Sequence, residues 1–263
     1  MAAFGSYEDL GVETDGNIAV VEIQRPPLNF FDHALIKSIA SAFEDLDKHD
    51  DCRAIVLAAQ GKAFCAGADF SNRADDNEEQ MGNVRAPHLY EEAVRLYRTK
   101  KPVVGAIHGA AIGGGLGLAM MPDFRVTCPE ARFAANFTRL GFHPGFGLTH
   151  TLPRLIGPTK AALVFYTSRR FKGEEAVEMG MADILVPQDQ VRQAAVDLAK
   201  EIAENSPLGL LATRATMRQG LADAVKAATD HELVEQNRLR VTEDFAEGVK
   251  ATAERRVPNF KGR

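Results

Sequence analysis

Apolar and polar positions along the 263-residue chain change period repeatedly, from strand-like runs to helical spacing and back. Ile18 to Gln24 is short and rich in β-branched residues, and the Pro26-Pro27 pair that follows holds the chain out of helical geometry, so a strand and then a loop are predicted. Asp32 can cap a helix whose apolar positions Leu35, Ile36, Ile39, Phe43 and Leu46 share one face, and Arg53 to Ala59 then reads as a buried strand. Together these make a β-α-β crossover. The acidic segment Ser71 to Asn83 reads as mobile, ahead of a helix through Leu89, Val94 and Leu96 and a strand at Val103 to Ile107. Gly109 to Met121 turns from strand into helix, and Phe124 to Cys128 is the next strand. After a glycine-rich loop at Gly141 to Gly147, helical patterns return at Thr159 to Tyr166, Gly173 to Met179 and Val191 to Ala203. A terminal helical stretch is expected from Leu208 to Glu247, ending in a basic tail. The pattern predicts an α/β body over 1–205 and a helical C-terminal region over 206–263.

Composition narrows the class. Hydrophobic residues at 45% and charged residues at 25% suit a globular chain with a real core. Acidic residues outnumber basic ones, 36 to 31, so there is no general basic field for nucleic acid. Gly109 to Pro122, the longest uncharged stretch around the glycine-rich centre, is too short and glycine-rich to span a bilayer. The N-terminus lacks a basic start and an apolar core, so a cytoplasmic location with no membrane contact is expected. Cys52, Cys65 and Cys128 are odd in number and lack CxxC spacing, against both a disulfide framework and a thiolate zinc site.

Familiar signatures fail. Gly113-Gly-Gly115 with Leu118 does not fit GxGxxG, and neither a P-loop nor a GxSxG elbow occurs. His231-Glu232 lacks the second histidine of a zincin. Two glycine-bearing segments remain: Phe64-Cys-Ala-Gly-Ala-Asp69 after one strand and Ile112-Gly-Gly-Gly-Leu-Gly117 after the next. Glycines at strand-to-helix junctions let a ligand approach backbone N–H groups, which suits an oxyanion; they serve tight packing of helix on strand equally well.

Phe64 to Asp69 resembles the FxAGxD segment of the crotonase superfamily, the enoyl-CoA hydratase/isomerase family. Lys101-Pro-Val-Val-Gly-Ala-Ile-His-Gly109 and Gly113 to Asp123 resemble its KPVIAAVNG and GGG…AxxxD run, and further stretches extend the likeness from residue 18 to 262. The resemblance implies an α/β crotonase-like spiral of β-β-α units with a helical C-terminal trimerisation region, a homo-trimer or dimer of trimers, and CoA thioesters as ligands. Coenzyme A would be part of the substrate, with no separate cofactor or metal. By position, the backbone N–H groups of Ala68 and Gly114 should be the oxyanion donors. Pro27, Leu28, Ala66, Gly67, Asp69, Gly113 and Phe137 should line the substrate and CoA site. Arg25, with Lys250 or Lys261, is a candidate phosphate partner or else an ordinary solvated charge. The implied activity is that of an acyl-CoA enzyme stabilising a thioester enolate, with enoyl-CoA hydratase as the default. A non-catalytic acyl-CoA-binding homologue, isomerisation, retro-Claisen cleavage and thioester hydrolysis are the alternatives.

The departures bear on the reaction. Hydratases of this family carry two glutamates in slots that here hold Gly117 and Phe137, and the aspartate of dienoyl isomerase-like and dehalogenase-like members falls at Gly145. None of these can move a proton. His143, in the loop expected to face the acyl group, is the candidate acid/base, unless it is a structural loop histidine. Tyr90 is a candidate hydrogen-bond donor to substrate, or else a core tyrosine. Glu91 and Glu92 read as a solvated helix face, His108 as structural filling, and Cys65 as a packed small hydrophobe rather than a nucleophile. Phe30, Phe31, Phe70, Phe137, Phe142 and Phe146 suggest an apolar or aromatic acyl pocket.

Overall fold

The structure, a computed structural model, describes residues 7–68 and 88–263. Asp69, Phe70 and the acidic segment from Ser71 to Asn83 lie outside the described residues.

A six-stranded sheet runs β1 (Leu10–Asp15), β2 (Ile18–Ile23), β3 (Ala54–Ala59), β5 (Val103–Ile107), β7 (Phe124–Thr127) and β10 (Ile184–Leu185) in that spatial order. A smaller sheet runs β4 (Ala63–Cys65), β6 (Ala110–Ile112), β8 (Arg132–Ala134) and β9 (Phe171–Lys172). Successive strands therefore alternate between sheets: β3 then β4, β5 then β6, β7 then β8. Each pair feeds helical structure before the next turn, which is the expected spiral of β-β-α units. Within each sheet the strands pair parallel, except for the β1–β2 hairpin and the β8–β9 pair.

The strongest periodic signal gives the clearest helix. In α1 (His33–Asp47) the carboxylate of Asp32 accepts the N–H of Leu35 at 2.8 Å, a cap worth about 1 kcal/mol. Leu35, Ile36, Ile39, Phe43 and Leu46 are all fully buried, each contributing roughly 1.5–3 kcal/mol of transfer free energy. Among the described residues, the further α-helices ahead of the C-terminal region are α2 (Leu89–Tyr97), α3 (Gly114–Met120), α4 (Leu148–Ile156), α5 (Pro158–Thr167), α6 (Gly173–Met179) and α7 (Val191–Ala203).

Three differences from the sequence expectation have physical causes. The terminal stretch is three helices, α8 (Pro207–Met217), α9 (Leu221–Arg240) and α10 (Glu243–Ala253). Gly220 at φ 74° breaks the first join, and Thr242 breaks the second by accepting the N–H of Phe245 at 3.1 Å. β1 escapes a periodicity search because its pattern is weakly apolar, although the Asp15-Gly16-Asn17 turn marks its hairpin, with Gly16 at φ 59°. Glu92, expected on a solvated face, is buried: it pairs with Arg95 and lies 3.6 Å from His33.

Asp123 ties the C-terminal helices to the sheet. It accepts the N–H of Val103 at 2.8 Å, and Arg214 and Arg218 of the C-terminal region at 2.9 and 2.6 Å. Burial opposes its ionisation, but the two guanidiniums hold its carboxyl below the usual range. α9 packs on α2 and α4, and its Gln236 lines the same cavity as Ala66 and Ile112 at the ends of β4 and β6.

Candidate active site

The floor of the site is backbone. β4 and β6 pair in parallel, Ala63 beside Ala110 and Cys65 beside Ala111, so the segments that leave their ends emerge side by side. Gly67 sits at φ 86°, where a Cβ would stand 2.7 Å from the Ile112 carbonyl oxygen and 3.7 Å from the Gly114 nitrogen. Gly113 sits at φ 59° and gives its own N–H to the Ala134 carbonyl at 2.8 Å. Gly114 is the first residue of α3, so its N–H has no acceptor within the helix. Ala66, Gly67, Ala68, Gly113 and Gly114 all line one cavity of about 340 Å³.

The remaining glycines of that run do a different job. A Cβ at Gly115 would fall on the Cys65 carbonyl, and one at Gly117 would stand 2.6 Å from Cβ of Phe146. Packing positions and cavity-facing positions thus coexist in one run, on different residues. Cys65 is fully buried, and burial pushes its thiol up to about 12, so it is no thiolate nucleophile.

The walls are aromatic. Phe31, Phe137, Phe142 and Phe146 line the cavity, each less than a tenth exposed. Phe31 and Phe146 meet at 5.5 Å between ring centroids, and Phe142 meets Phe245 at 4.8 Å. Phe146 adopts φ 63°, a left-handed conformation that costs a phenylalanine on the order of 1 kcal/mol and persists only where its surroundings hold it.

Those surroundings are the roof. The Tyr90 hydroxyl donates to Gln236 Oε1 at 2.8 Å and faces the backbone N–H of Phe146, while Gln236 Nε2 donates to the His143 carbonyl at 3.0 Å. Burial, reinforced by the charge of Glu232, raises the Tyr90 phenol above its ordinary value. Its one proton is committed to Gln236, so the expectation that Tyr90 donates to substrate gives way to a clamp on the 141–147 loop. Gly145 is required beneath it, because a Cβ there would strike the Tyr90 hydroxyl.

His143 does not reach the cavity. Its Nδ1 lies 2.8 Å from the Pro144 carbonyl and its ring is edge-on to His231 at 6.1 Å, while Phe142 and Phe146 of the same loop take the inward positions. The proposed acid/base is thereby displaced from the site. Sequence reasoning passed over His88, Asn136, Gln236 and Arg240, all of which line the cavity. His88 Nδ1 accepts the N–H of Tyr90 at 3.2 Å as the cap of α2, which puts the proton of the neutral ring on Nε2. Burial, with Arg240 and His33 nearby, lowers its pKa to about 4. A polar residue just ahead of the helix at Leu89 was the available signal for His88; nothing local marks Gln236.

Pro27 and Leu28, expected from the resemblance to bind substrate or CoA, are adjacent to the floor without lining the cavity. The Pro27 carbonyl accepts the N–H groups of Lys62 and Ala63 at 2.9 and 3.2 Å, and the Leu28 carbonyl accepts that of Ala66 at 3.0 Å. Buried Asn29 fixes this loop by donating to the Gln60 and Ala63 carbonyls at 2.6 and 2.7 Å. Arg25 bonds Asp9 at 2.5 Å and Asp32 at 2.7 Å, so its charge is already balanced by two carboxylates. Asp69 lies outside the described residues.

Known proteins share this chain's sequence pattern and fold over nearly its whole length. The family model described as enoyl-CoA hydratase/isomerase matches residues 13–263. The chain belongs to the enoyl-CoA hydratase/isomerase family. A Bacillus subtilis protein named "Probable enoyl-CoA hydratase" is 30% identical over 257 residues, covering 96% of this chain and 98% of its own. A solved carnitinyl-CoA hydratase from Mycobacterium avium superposes with a TM-score of 0.84 at 28% identity, covering 98% of this chain and 100% of that one. An enoyl-CoA hydratase/isomerase from Pseudoalteromonas atlantica gives the same TM-score at 25% identity, covering 97% of this chain and 100% of that one.

Set beside the glutamate pair that the resemblance leads one to expect of hydratases in this family, this cavity is apolar where the carboxylates would stand. Phe146 fills the space beside Gly117, and Phe137 lines the second slot directly. Among the described residues that line the cavity there is no carboxylate. Glu232 is buried on α9 but fully engaged, accepting the N–H groups of Gly147 and Thr149 at 2.8 and 3.0 Å and the Thr149 hydroxyl at 2.6 Å.

Proposed function

We propose that this family member binds an acyl-CoA thioester with its carbonyl oxygen between the N–H groups of Ala68 and Gly114, which stabilise the enolate that forms on that oxygen. The single observation that carries the reading is the side-by-side exit of the β4 and β6 ends into one cavity, with both residues lining it. Donors fixed where charge develops act without reorganisation, and loss of one costs about 100- to 1000-fold in rate. The aromatic walls suit the apolar part of an acyl group.

Enoyl-CoA hydratase is the default reaction, in keeping with the names of the relatives. The test is hydration of crotonyl-CoA at high enzyme concentration, followed by loss of the conjugated enoyl-thioester absorbance. We expect turnover that falls by about 100-fold or more in Gly114→Pro, which removes the N–H at a helix position that tolerates proline. Phe31 stands where the new ring must go, so the change is made in a Phe31→Leu background and compared with Phe31→Leu alone. A second reading, an acyl-CoA-binding protein without turnover, is favoured by the lack of a carboxylate among the described lining residues. Tight thioester binding with no reaction of any acyl group would select it.

The assembly we propose is a trimer or a dimer of trimers built on the C-terminal region, with CoA as part of the substrate and no separate cofactor. Leu208, Met217 and Val241, each more than two-thirds exposed, support a partner surface there. Light scattering on the eluted protein reads the mass directly.

A further inference from the structure

Three neighbouring strands of the small sheet each deliver a residue to the cavity. β4, β6 and β8 lie side by side in that order, and Ile112 pairs with Ala134, so Gly114 and Asn136 each stand two residues beyond a paired position. Ala68 arrives from β4, and all three line the cavity. Their neighbours follow the same order: a Cβ on Gly67 would stand 3.7 Å from the Gly114 nitrogen, and one on Gly113 would stand 3.1 Å from Asn136 Oδ1. The backbone around Asn136 is pinned. The Ala135 carbonyl accepts the Ser168 hydroxyl at 3.3 Å, the Asn136 carbonyl accepts the N–H of Leu140 at 3.3 Å, and the Phe137 carbonyl accepts that of Phe142 at 2.9 Å. Tyr90 and Gln236 spend their polar atoms on each other and on the 141–147 loop. The Asn136 side chain, by contrast, makes no hydrogen bond among the described residues, so its two N–H donors and its carbonyl oxygen are unspent. An apolar chain laid across it would bury those groups without partners.

We propose that Asn136 recognises a carbonyl oxygen on carbon 3 of the acyl group, so that the preferred ligands are 3-oxoacyl thioesters of CoA. The inference rests on the reading that Ala68 and Gly114 hold the thioester oxygen. Neighbouring strands are about 4.8 Å apart, and β6 lies between β4 and β8, so the amide is the next donor beyond Gly114. A 1,3-dicarbonyl presents two oxygens three carbons apart, one for the backbone pair and one for the amide. Its C2 proton, flanked by two carbonyls, also leaves more readily than that of a simple thioester. That suits a cavity with no carboxylate among its described lining residues.

The test compares acetoacetyl-CoA with isovaleryl-CoA, in which a methyl group takes the place of the oxygen on carbon 3. Binding of each is measured by calorimetry to wild type, to Asn136→Leu and to Asn136→Asp, with circular dichroism as the check on folding. The aspartate keeps the shape of the side chain and removes its N–H donors, so it carries the comparison if the leucine variant fails to fold. We expect acetoacetyl-CoA to bind wild type about tenfold or more tightly than isovaleryl-CoA. The preference should disappear in both variants, while isovaleryl-CoA binds Asn136→Leu as well as it binds wild type. Equal binding of the two thioesters by wild type overturns the inference. So does a preference that survives in the variants, which gives the oxygen another donor, or an equal loss of both thioesters there, which assigns Asn136 to the frame of the cavity. Failure of wild type to bind any thioester overturns the underlying acyl-CoA reading instead, so the two failures are distinguishable.

Discussion

The floor and the roof of the cavity are built on opposite principles. The floor is main chain: Gly67, Ala68, Gly113 and Gly114 are placed by the pairing of β4 with β6, and their chemistry is the peptide N–H. The roof is side chain: Tyr90, Gln236 and Phe146 come from parts of the sequence far apart, and each is fixed only because the others are. A backbone floor tolerates changes of acyl group, because a thioester carbonyl is common to all of them. The roof of this chain is made of phenylalanine rings and an amide clamp, with no carboxylate among the described residues that line the cavity.

The comparison is broken most severely by forcing a hydratase-like carboxylate into the floor helix. Gly117→Glu places a Cβ against Phe146, so we expect a loss of about 3 kcal/mol in urea unfolding and no gain in crotonyl-CoA hydration. Adding Phe146→Gly should recover part of that stability, because it removes the Cβ that the new one meets at a position whose φ of 63° favours glycine. Next in size is the roof clamp. Tyr90→Phe leaves Gln236 Oε1 and the Phe146 N–H without their partner, with an expected cost of about 1–3 kcal/mol. A large fall in kcat at unchanged stability would instead make the hydroxyl a reacting group.

The smallest effect is one of pH. The His88 pKa is about 4 in the folded chain against an ordinary 6.5, so between those values the unfolded chain holds more protons. Stability should therefore fall as pH drops from about 6.5 towards 4, by about 1 kcal/mol once solvent screening of the partly exposed ring is allowed for. Urea unfolding at pH 7 and pH 4.5 measures this, and His88→Asn, which keeps a capping side chain, should show a smaller difference.

The same contrast explains what the sequence made legible. Strands β2, β3, β5 and β7, α1 and the two glycine segments are local or repeat at a fixed spacing, so periodicity and motif order found them; β4, β8, β9 and β10, of two or three residues each, are too short to show a period. The division of labour within the run, with Gly113 and Gly114 facing the cavity and Gly115 and Gly117 packing, needs three-dimensional neighbours such as Cys65 and Phe146. His143 was placed by its loop alone, and a loop position does not say which side chains turn inward; Phe142 and Phe146 do. Gln236 was invisible because its partners, Tyr90 and His143, are 146 and 93 residues away in the chain.

The central claim is that two backbone N–H groups polarise a thioester carbonyl. It is tested most directly by ¹³C NMR of butyryl-CoA labelled at the thioester carbon and bound to the wild-type protein, a ligand with no double bond to hydrate. The account predicts a downfield shift of the bound carbonyl relative to free ligand, as electron density moves onto the oxygen. A tightly bound thioester whose carbonyl resonates where the free ligand does would contradict it.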